Sequence, residues 1–252
     1  MPLKIAISQP TYLPWMGYFD LIDQVDVFVL LDNVQFAKQS WQQRNRIRTA
    51  AGLQWLTVPV KLHFGQLIQE VEVREPDFHV NHLRAIELAY RRAPNFERFF
   101  PQLSERLASC PRALLVDLNV ALMTGLMEIL GIRTLLLRAS TLGQAGKRTE
   151  LLANLCAKLG ATQYISPAGS AAYLIPERHL LTDRRVEVLF HNYEHPVYRQ
   201  RHKPFTPFAS VIDLIFNEGD ASLNIIRSGR KQSYSVDDAR ALQAQSDTQL
   251  AI

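Results

Sequence analysis

Cysteine is scarce in this 252-residue chain, with Cys110 and Cys156 the two examples. They lie far apart and match no metal-ligand spacing, so neither a disulfide framework nor a cysteine-bound metal is indicated. No apolar run approaches the roughly 18 residues that a membrane span needs. The first residues also lack the charged and apolar regions of a signal peptide. We therefore expect a cytoplasmic protein that keeps its thiols reduced and does not enter a membrane.

The familiar catalytic signatures are also missing. The chain has no Gly-x-x-x-x-Gly-Lys-Ser/Thr phosphate loop, no Gly-x-Gly-x-x-Gly, no Gly-x-Ser-x-Gly and no His-Glu-x-x-His. These absences remove the simplest assignments without excluding an enzyme. A net charge of +4 suits an anionic small-molecule substrate at least as well as nucleic acid, which usually needs a denser stripe of Lys and Arg. The sequence indicates no particular cofactor and predicts no metal site.

The order of apolar patterns predicts an α/β fold. A short strand at 4–8 leads through a loop and a helix into a buried strand at 27–31, as in a right-handed βαβ unit. A β-hairpin is predicted around the turn at 50–52, and 77–131 is predicted to be helical. Further strands are predicted at 132–138, 162–166 and 186–190. We expect a mostly parallel sheet with an inserted β-hairpin and a helical middle region. A single domain should span 1–228, followed by a flexible C-terminal tail over 229–252.

The loop after the first strand is the most informative feature. Pro10 and Pro14 restrict its backbone, so it loses little entropy on ordering. The carboxyl ends of strands in open α/β sheets are also where ligands usually bind. The loop is either a preformed binding loop or a rigid plug whose aromatic residues simply pack. Under the first interpretation Tyr12 and Trp15 stack on substrate. The candidate substrate-binding residues here are Gln9, Pro10, Tyr12, Trp15 and Gly17.

Charged residues supply candidate groups for phosphate binding and proton transfer. Arg44, Arg46 and Arg48 alternate along a predicted strand and therefore share one face. That face either binds an anion through its guanidinium groups or is simply solvated, and Trp41 adds a stacking surface beside it. Asp32 follows the second predicted strand. It is either a catalytic carboxylate or the cap of the next turn.

Five further polar residues extend the candidate site. Gln35 follows Asp32 and should lie beside the proline-rich loop as a substrate-binding residue. Ser166 and Ser170 belong to a small-residue loop that either exposes backbone N–H groups to an anion or is an ordinary turn. His82 lies on a predicted helix and is either a catalytic acid/base or a buried histidine. His195 is a further candidate acid/base or hydrogen-bond donor.

Four segments together form a recognisable pattern: Ser8-Gln-Pro-Thr-Tyr-Leu-Pro-Trp-Met-Gly-Tyr-Phe-Asp20, Asp32-Asn-Val-Gln-Phe36, Ser40-Trp-Gln-Gln-Arg-Asn-Arg-Ile47 and Tyr164-Ile-Ser-Pro167. This pattern resembles the WbqC-like proteins over about residues 3–228. The resemblance implies a bacterial cytoplasmic protein associated with surface polysaccharides such as O-antigen. It also implies a part in modifying an activated amino sugar, by acyl or aminoacyl transfer.

The leading hypothesis is a transferase acting on a nucleotide-activated or phosphorylated sugar, with Asp32 and His82 catalytic and the hairpin arginines holding phosphate. An alternative is a non-catalytic module whose arginines dock an acidic pathway enzyme, or an acyl or aminoacyl carrier protein. A third is a nucleotide binder, because the strand–loop–helix opening is analogous to that of pantothenate synthetase and related nucleotidyl transferases. Nucleic acid is not an expected partner, since mixed charges in the middle region interrupt any basic track.

Overall fold

The computed structural model describes residues 2–239 and residue 241. Five parallel strands and one short antiparallel strand form its central sheet, in the order β5-β2-β1-β6-β7-β8. A separate two-stranded sheet pairs β3 with β4. The predicted α/β class, with a mostly parallel sheet and an inserted hairpin, is confirmed. The strands are β1 (Lys4–Ser8), β2 (Val27–Leu30), β3 (Arg44–Thr49), β4 (Gly52–Thr57), β5 (Leu135–Arg138), β6 (Gln163–Ser166), β7 (Glu187–Phe190) and β8 (Tyr234–Ser235).

Helices cover both faces of the central sheet. Three of them, α2 to α4, make up the helical middle region that was predicted over 77–131. No helix in the described part of the chain is both long and apolar enough to cross a membrane. The helices are α1 (Met16–Asp23), α2 (Phe78–Tyr90), α3 (Phe96–Ser109), α4 (Leu115–Leu130), α5 (Thr149–Leu159), α6 (Ala171–Leu174), α7 (His179–Thr182), α8 (Val211–Glu218) and α9 (Ser222–Ser228).

Strand β1 is sandwiched between two apolar cores. Successive side chains of a strand point to opposite faces, so Ile5 and Ile7 pack with α5 to α7, while Ala6 faces the core built from α1 to α4 and α8. All three side chains are buried. A strand covered on both faces has a continuous apolar sequence rather than an alternating one. This is why the run of apolar residues in β1 and β2 predicted both strands.

The β3–β4 hairpin lies over the carboxyl end of β1. Its register places Arg46 directly opposite Trp55. The hairpin is fastened to the β1–α1 loop by Asn45, whose Nδ2 donates to the backbone oxygen of Leu13 at 2.8 Å. This attachment brings the arginine-bearing strand next to the proline-rich loop.

Residues 229–239 pack against the domain and differ from the flexible tail expected from residue 229. Tyr234 pairs with Phe190 at the β7 edge of the sheet. Arg230 donates through Nε to Asp20 at 2.9 Å and through Nη2 to Asp23. Asp20 is fully buried, and a buried carboxylate requires a partner. The segment is therefore held by charge at Arg230, and also by the buried apolar side chains of Val236 and Ala239. Residues 240 and 242–252 of the expected tail lie outside the described residues.

Candidate functional site

A cavity of about 470 Å³ opens at the carboxyl end of β1. The sheet continues from β1 in both directions, with β2 on one side and β6 on the other. Ligands of open α/β sheets bind at such switch points. The wall of the cavity combines aromatic and polar side chains. The lining residues are Ser8, Gln9, Thr11, Pro14, Trp15, Tyr18, Ser40, Trp41, Gln42, Asn45, Arg46 and Phe208.

Hydrogen bonds hold the β1–α1 loop in the wall of this cavity. The backbone oxygen of Gln9 accepts from the hydroxyl of Tyr18 at 2.8 Å, and its side-chain oxygen accepts from Nε2 of Gln42 at 2.8 Å. Leu13 has a φ of 43°, a conformation that branched L-residues rarely adopt. Such strain persists where the surrounding structure fixes the chain, often at functional sites. The loop is therefore preorganised.

Trp15 depends on a glycine for its position. A Cβ atom on Gly17 would lie 2.1 Å from a carbon of the Trp15 ring, far inside van der Waals contact. With that space free, the Trp15 indole contacts the rings of Tyr193, His195 and Phe208 at centroid distances of 5.6, 6.0 and 5.3 Å. Gly17 thus allows one aromatic wall of the cavity to form.

Two arginines and two tryptophans interleave on the hairpin side of the cavity. The Arg46 guanidinium lies 5.4 Å from the Trp41 ring centroid and 5.3 Å from that of Trp55, and the Arg44 guanidinium lies 4.2 Å from Trp55. Each contact of this kind contributes about 0.5–1 kcal/mol at exposed sites. Among the described residues neither guanidinium forms an ion pair. Both Nε atoms are buried, and neither has a hydrogen-bond partner in residues 2–239 or 241.

Among the described residues that line this cavity, Arg46 is the one charged side chain, and none of them is a carboxylate. An unpaired guanidinium beside aromatic rings is a combination that binds planar and phosphate-bearing ligands, through bidentate hydrogen bonds and stacking. The cavity can therefore hold a small anionic molecule.

Comparison with known proteins identifies the family. The model of the WbqC-like protein family matches residues 9–225, a range that contains every residue of the cavity lining except Ser8. The chain belongs to the WbqC-like family. It is also similar to the uncharacterized protein Rv1507c of Mycobacterium tuberculosis (strain ATCC 25618 / H37Rv), with 36% identity over 231 residues, which cover 90% of this chain and 99% of that protein.

Four of the residues predicted from the sequence of this WbqC-like chain line the cavity. They are Gln9, Trp15, Trp41 and Arg46. Three more lie next to it without entering: Pro10 is buried within the loop, Gly17 lies under Trp15, and Arg44 stacks on Trp55 beside Arg46. Arg48, on the same strand face, is instead buried, and its Nη2 donates to the backbone oxygen of Pro204.

Asp32 lies at the same edge of the sheet as Gln9, as predicted, but not in the cavity lining. It is fully buried. Its Oδ2 accepts from Nε of Arg138 at 2.7 Å and from the Ser140 hydroxyl at 2.8 Å, and its Oδ1 accepts from the Ser140 backbone N–H at 2.9 Å. Arg138 also contacts Asp117 at 2.8 Å. These contacts make Asp32 a structural anchor between β2 and β5 rather than a group that meets a ligand in the cavity.

Tyr12 and His82 belong to the apolar core rather than to the cavity. Tyr12 is fully buried, and its hydroxyl lies 2.8 Å from Nδ1 of His82. Burial raises the pKa of Tyr12, so its phenol is neutral. Burial lowers the pKa of His82 to about 4, opposed by a hydrogen bond to the Thr57 backbone. Neither side chain lines the cavity, so the stacking role expected of Tyr12 and the proton-transfer role expected of His82 have no access to a ligand there.

The two serines of the β6–α6 loop also point inward. Ser166 and Ser170 are buried and hydrogen-bond to each other, and the Ser170 hydroxyl donates to the Pro167 backbone oxygen at 2.7 Å. Gln35 is exposed and pairs with Leu67. None of the three predicted binding residues lines the cavity. Within the described part of the chain, no group of three or more His, Cys, Asp or Glu side chains is arranged to hold a metal.

Several lining residues were not predicted, and Phe208 is the most prominent. It belongs to Pro204-Phe-Thr-Pro-Phe208, a second segment that combines prolines with aromatic residues. The β1–α1 loop has the same combination of prolines and aromatic residues, and this likeness could have indicated that Phe208 belongs to the site. Tyr18 is a second lining residue that the sequence analysis did not single out. Its pKa is raised by burial, against a smaller lowering by the nearby hydroxyls of Ser8 and Thr11, so it is a neutral hydrogen-bond donor.

Proposed function

We propose that this protein is a transferase that binds a nucleotide-activated or phosphorylated sugar in the cavity at the end of β1. The single observation that carries the proposal is the Arg46 guanidinium, which lines the cavity between two tryptophan rings and has no anionic partner within the described part of the chain. Surface-polysaccharide synthesis is the setting that the family resemblance implies. The substrate's phosphate would occupy the place of the missing anion.

The chemistry of the wall supports this ligand class. Arg46 offers bidentate donors to phosphate. Trp15, Trp41 and Phe208 offer ring faces and edges to a base or sugar, and the Gln9 and Asn45 amides lie in the same wall. Ligand sites of this kind are mostly apolar, with a few polar groups that fix orientation. A volume of about 470 Å³ falls within the range of small-molecule sites.

The reaction we propose is acyl or aminoacyl transfer to the sugar. The sugar's amine or hydroxyl forms a bond to the acyl carbon, the bond from that carbon to its carrier breaks, and the nucleophile's proton leaves with the carrier. In this proposal the cavity residues bind and orient the sugar, and Arg46 stabilises negative charge. Asp32 and His82 serve the fold, because both are buried in other contacts.

The main alternative is a binding module that docks an acidic carrier protein on the hairpin arginines. That function needs an accessible basic surface and no cavity behind it. Here Arg46 faces a cavity of about 470 Å³ whose wall combines aromatic rings with a few amides and hydroxyls, which favours a small ligand.

A matched pair of variants tests the proposal. Arg44 and Arg46 lie on one face of one strand and both stack on Trp55, but Arg46 alone of the two lines the cavity. We expect UDP-N-acetylglucosamine to raise the melting temperature of the wild type, since ligand at 100 times its Kd stabilises a fold by about 2.7 kcal/mol. Arg46→Gln should weaken binding by roughly 10- to 100-fold, from the loss of charge-assisted hydrogen bonds.

Arg44→Gln is the control and should change the affinity by much less. Isothermal titration with UDP-N-acetylglucosamine, other nucleotide sugars and pyrophosphate then identifies the substrate class. Equal losses in the two variants would favour a docking surface over a cavity site. No binding of any phosphate-bearing sugar by the wild type would overturn the proposal.

A further inference from the structure

One imidazole lies directly behind two aromatic walls of the cavity without lining it. The ring of His195 is nearly parallel to the indole of Trp15, at an interplanar angle of 12° and a centroid distance of 6.0 Å. Its Nε2 lies 3.1 Å from the backbone nitrogen of Phe208. Trp15 and Phe208 in turn contact each other and line the cavity. A single side chain therefore touches both walls from outside.

The hydrogen bonds of His195 fix its tautomer. The backbone N–H of Phe208 can only donate, so Nε2 must carry the lone pair. Nδ1 lies 2.8 Å from the backbone oxygen of Pro196, an acceptor, and therefore carries the proton. Burial lowers the pKa of His195, which keeps the ring in this neutral form at neutral pH.

Phe208 needs such a partner because its backbone is strained. Its φ is 63°, in the left-handed region that a bulky L-residue rarely occupies. Strained residues persist where surrounding contacts determine them. Just after Phe208, the Ser210 N–H donates to the Arg46 backbone oxygen at 2.8 Å. The segment that carries Phe208 is thus joined both to His195 and to the strand that carries Arg46.

We propose that His195 is a positioning residue for the cavity: its imidazole accepts the Phe208 N–H and stacks on Trp15, and so holds both aromatic walls in place. It does not touch the bound molecule. One part of this inference rests on the proposed function: the expectation that the ligand binds more weakly when His195 is replaced. The other part, that the His195 imidazole fixes the position of Phe208, can be measured without any ligand.

Two substitutions distinguish the role of the His195 hydrogen-bond acceptor from the role of its aromatic ring. His195→Phe keeps an aromatic ring beside Trp15 but removes the acceptor, and His195→Gln keeps an acceptor but removes the ring. Amide hydrogen exchange of Phe208 is read by NMR in protein labelled with ¹⁵N-phenylalanine, in which it is one of 12 phenylalanines. We expect exchange about tenfold faster in His195→Phe and near the wild-type rate in His195→Gln. Val197→Ala, at an exposed neighbouring side chain, is the control and should leave exchange unchanged.

Binding of UDP-N-acetylglucosamine is then measured in the same variants. We expect roughly a tenfold weaker Kd for His195→Phe, with recovery in His195→Gln. Unchanged exchange at Phe208 in His195→Phe, or equal acceleration in both variants, overturns the inference. Unchanged binding in His195→Phe overturns its role in the cavity, while Arg46→Gln still reports on the proposed function. If the wild type binds no nucleotide sugar, the proposed function fails and the exchange rates alone decide the role of His195.

Discussion

His82 gives the protein a pH dependence of stability whose size follows from its burial. The residue is 7% exposed, and its Nδ1 lies 2.8 Å from the Tyr12 hydroxyl. The surrounding apolar core lowers its pKa from 6.5 to about 4. The perturbation is a drop from pH 7 to pH 5. The free energy of unfolding is compared between the wild type and His82→Gln, because glutamine does not titrate.

The sign follows from which state binds the proton. In the unfolded chain His82 takes up a proton below about pH 6.5, whereas in the folded protein it does so only near pH 4. Folding therefore excludes a proton between these values, and stability falls as the pH falls, by up to about 1.4 kcal/mol per pH unit. Integrated from pH 7 to pH 5, the loss is about 1.8 kcal/mol for the wild type.

Urea unfolding followed by circular dichroism at pH 7, 6 and 5 measures this loss. His82→Gln is expected to be less stable than the wild type at pH 7, because a buried hydrogen bond is disturbed. The difference between the two proteins should shrink by about 1.8 kcal/mol on going to pH 5. His63→Gln, on an exposed side chain, controls for the loss of a histidine as such. A constant difference between the wild type and His82→Gln would refute the reasoning, because the folded state would then accept the proton freely.

Two more predictions follow from the packing. Gly17→Ala should displace Trp15, lower the free energy of unfolding by about 1–3 kcal/mol and abolish nucleotide-sugar binding in titration calorimetry. Gly169→Ala, where an added Cβ meets no atom within 4 Å, should leave both quantities unchanged, and normal binding by Gly17→Ala would contradict the assignment of Trp15. Arg138→Ala should cost about 3 kcal/mol in urea unfolding, because it leaves the buried Asp32 carboxylate without its cation. A loss under 1 kcal/mol, the size typical of exposed pairs, would contradict the assignment of Asp32 and Arg138 as a structural ion pair.

Local patterns predicted the elements of the fold, because the physics that forms them is local. A continuous apolar run produced β1 and β2, and alternation placed Arg44 and Arg46 on one face of β3. The same alternation placed Arg48 there, but the chain around Pro204 covers it. Nothing within the hairpin sequence indicates that contact.

The candidate site was predicted only in part, because its composition depends on distant contacts. Asp32 was correctly placed at the end of β2, but its cation, Arg138, is far away in the chain. Tyr12 and Trp15 belong to one loop and looked equivalent, yet one is buried in the core and the other lines the cavity. The direction of each ring is decided by elements that pack on the loop. His195 was noticed as a hydrogen-bonding residue, and its partner Phe208 was not.

The position of β1 at the centre of the sheet has a consequence for biosynthesis. Its second neighbour, β6, begins only at Gln163, and chains are synthesised at about 5–20 residues per second. The nascent chain therefore contains β1 and β2 for on the order of ten seconds before β6 is made, and one edge of β1 is unpaired during that time. Such an edge is a template for wrong pairing, and long-range parallel contacts form slowly. We therefore expect this protein to complete its central sheet late in synthesis, later than a domain of similar size built from local contacts.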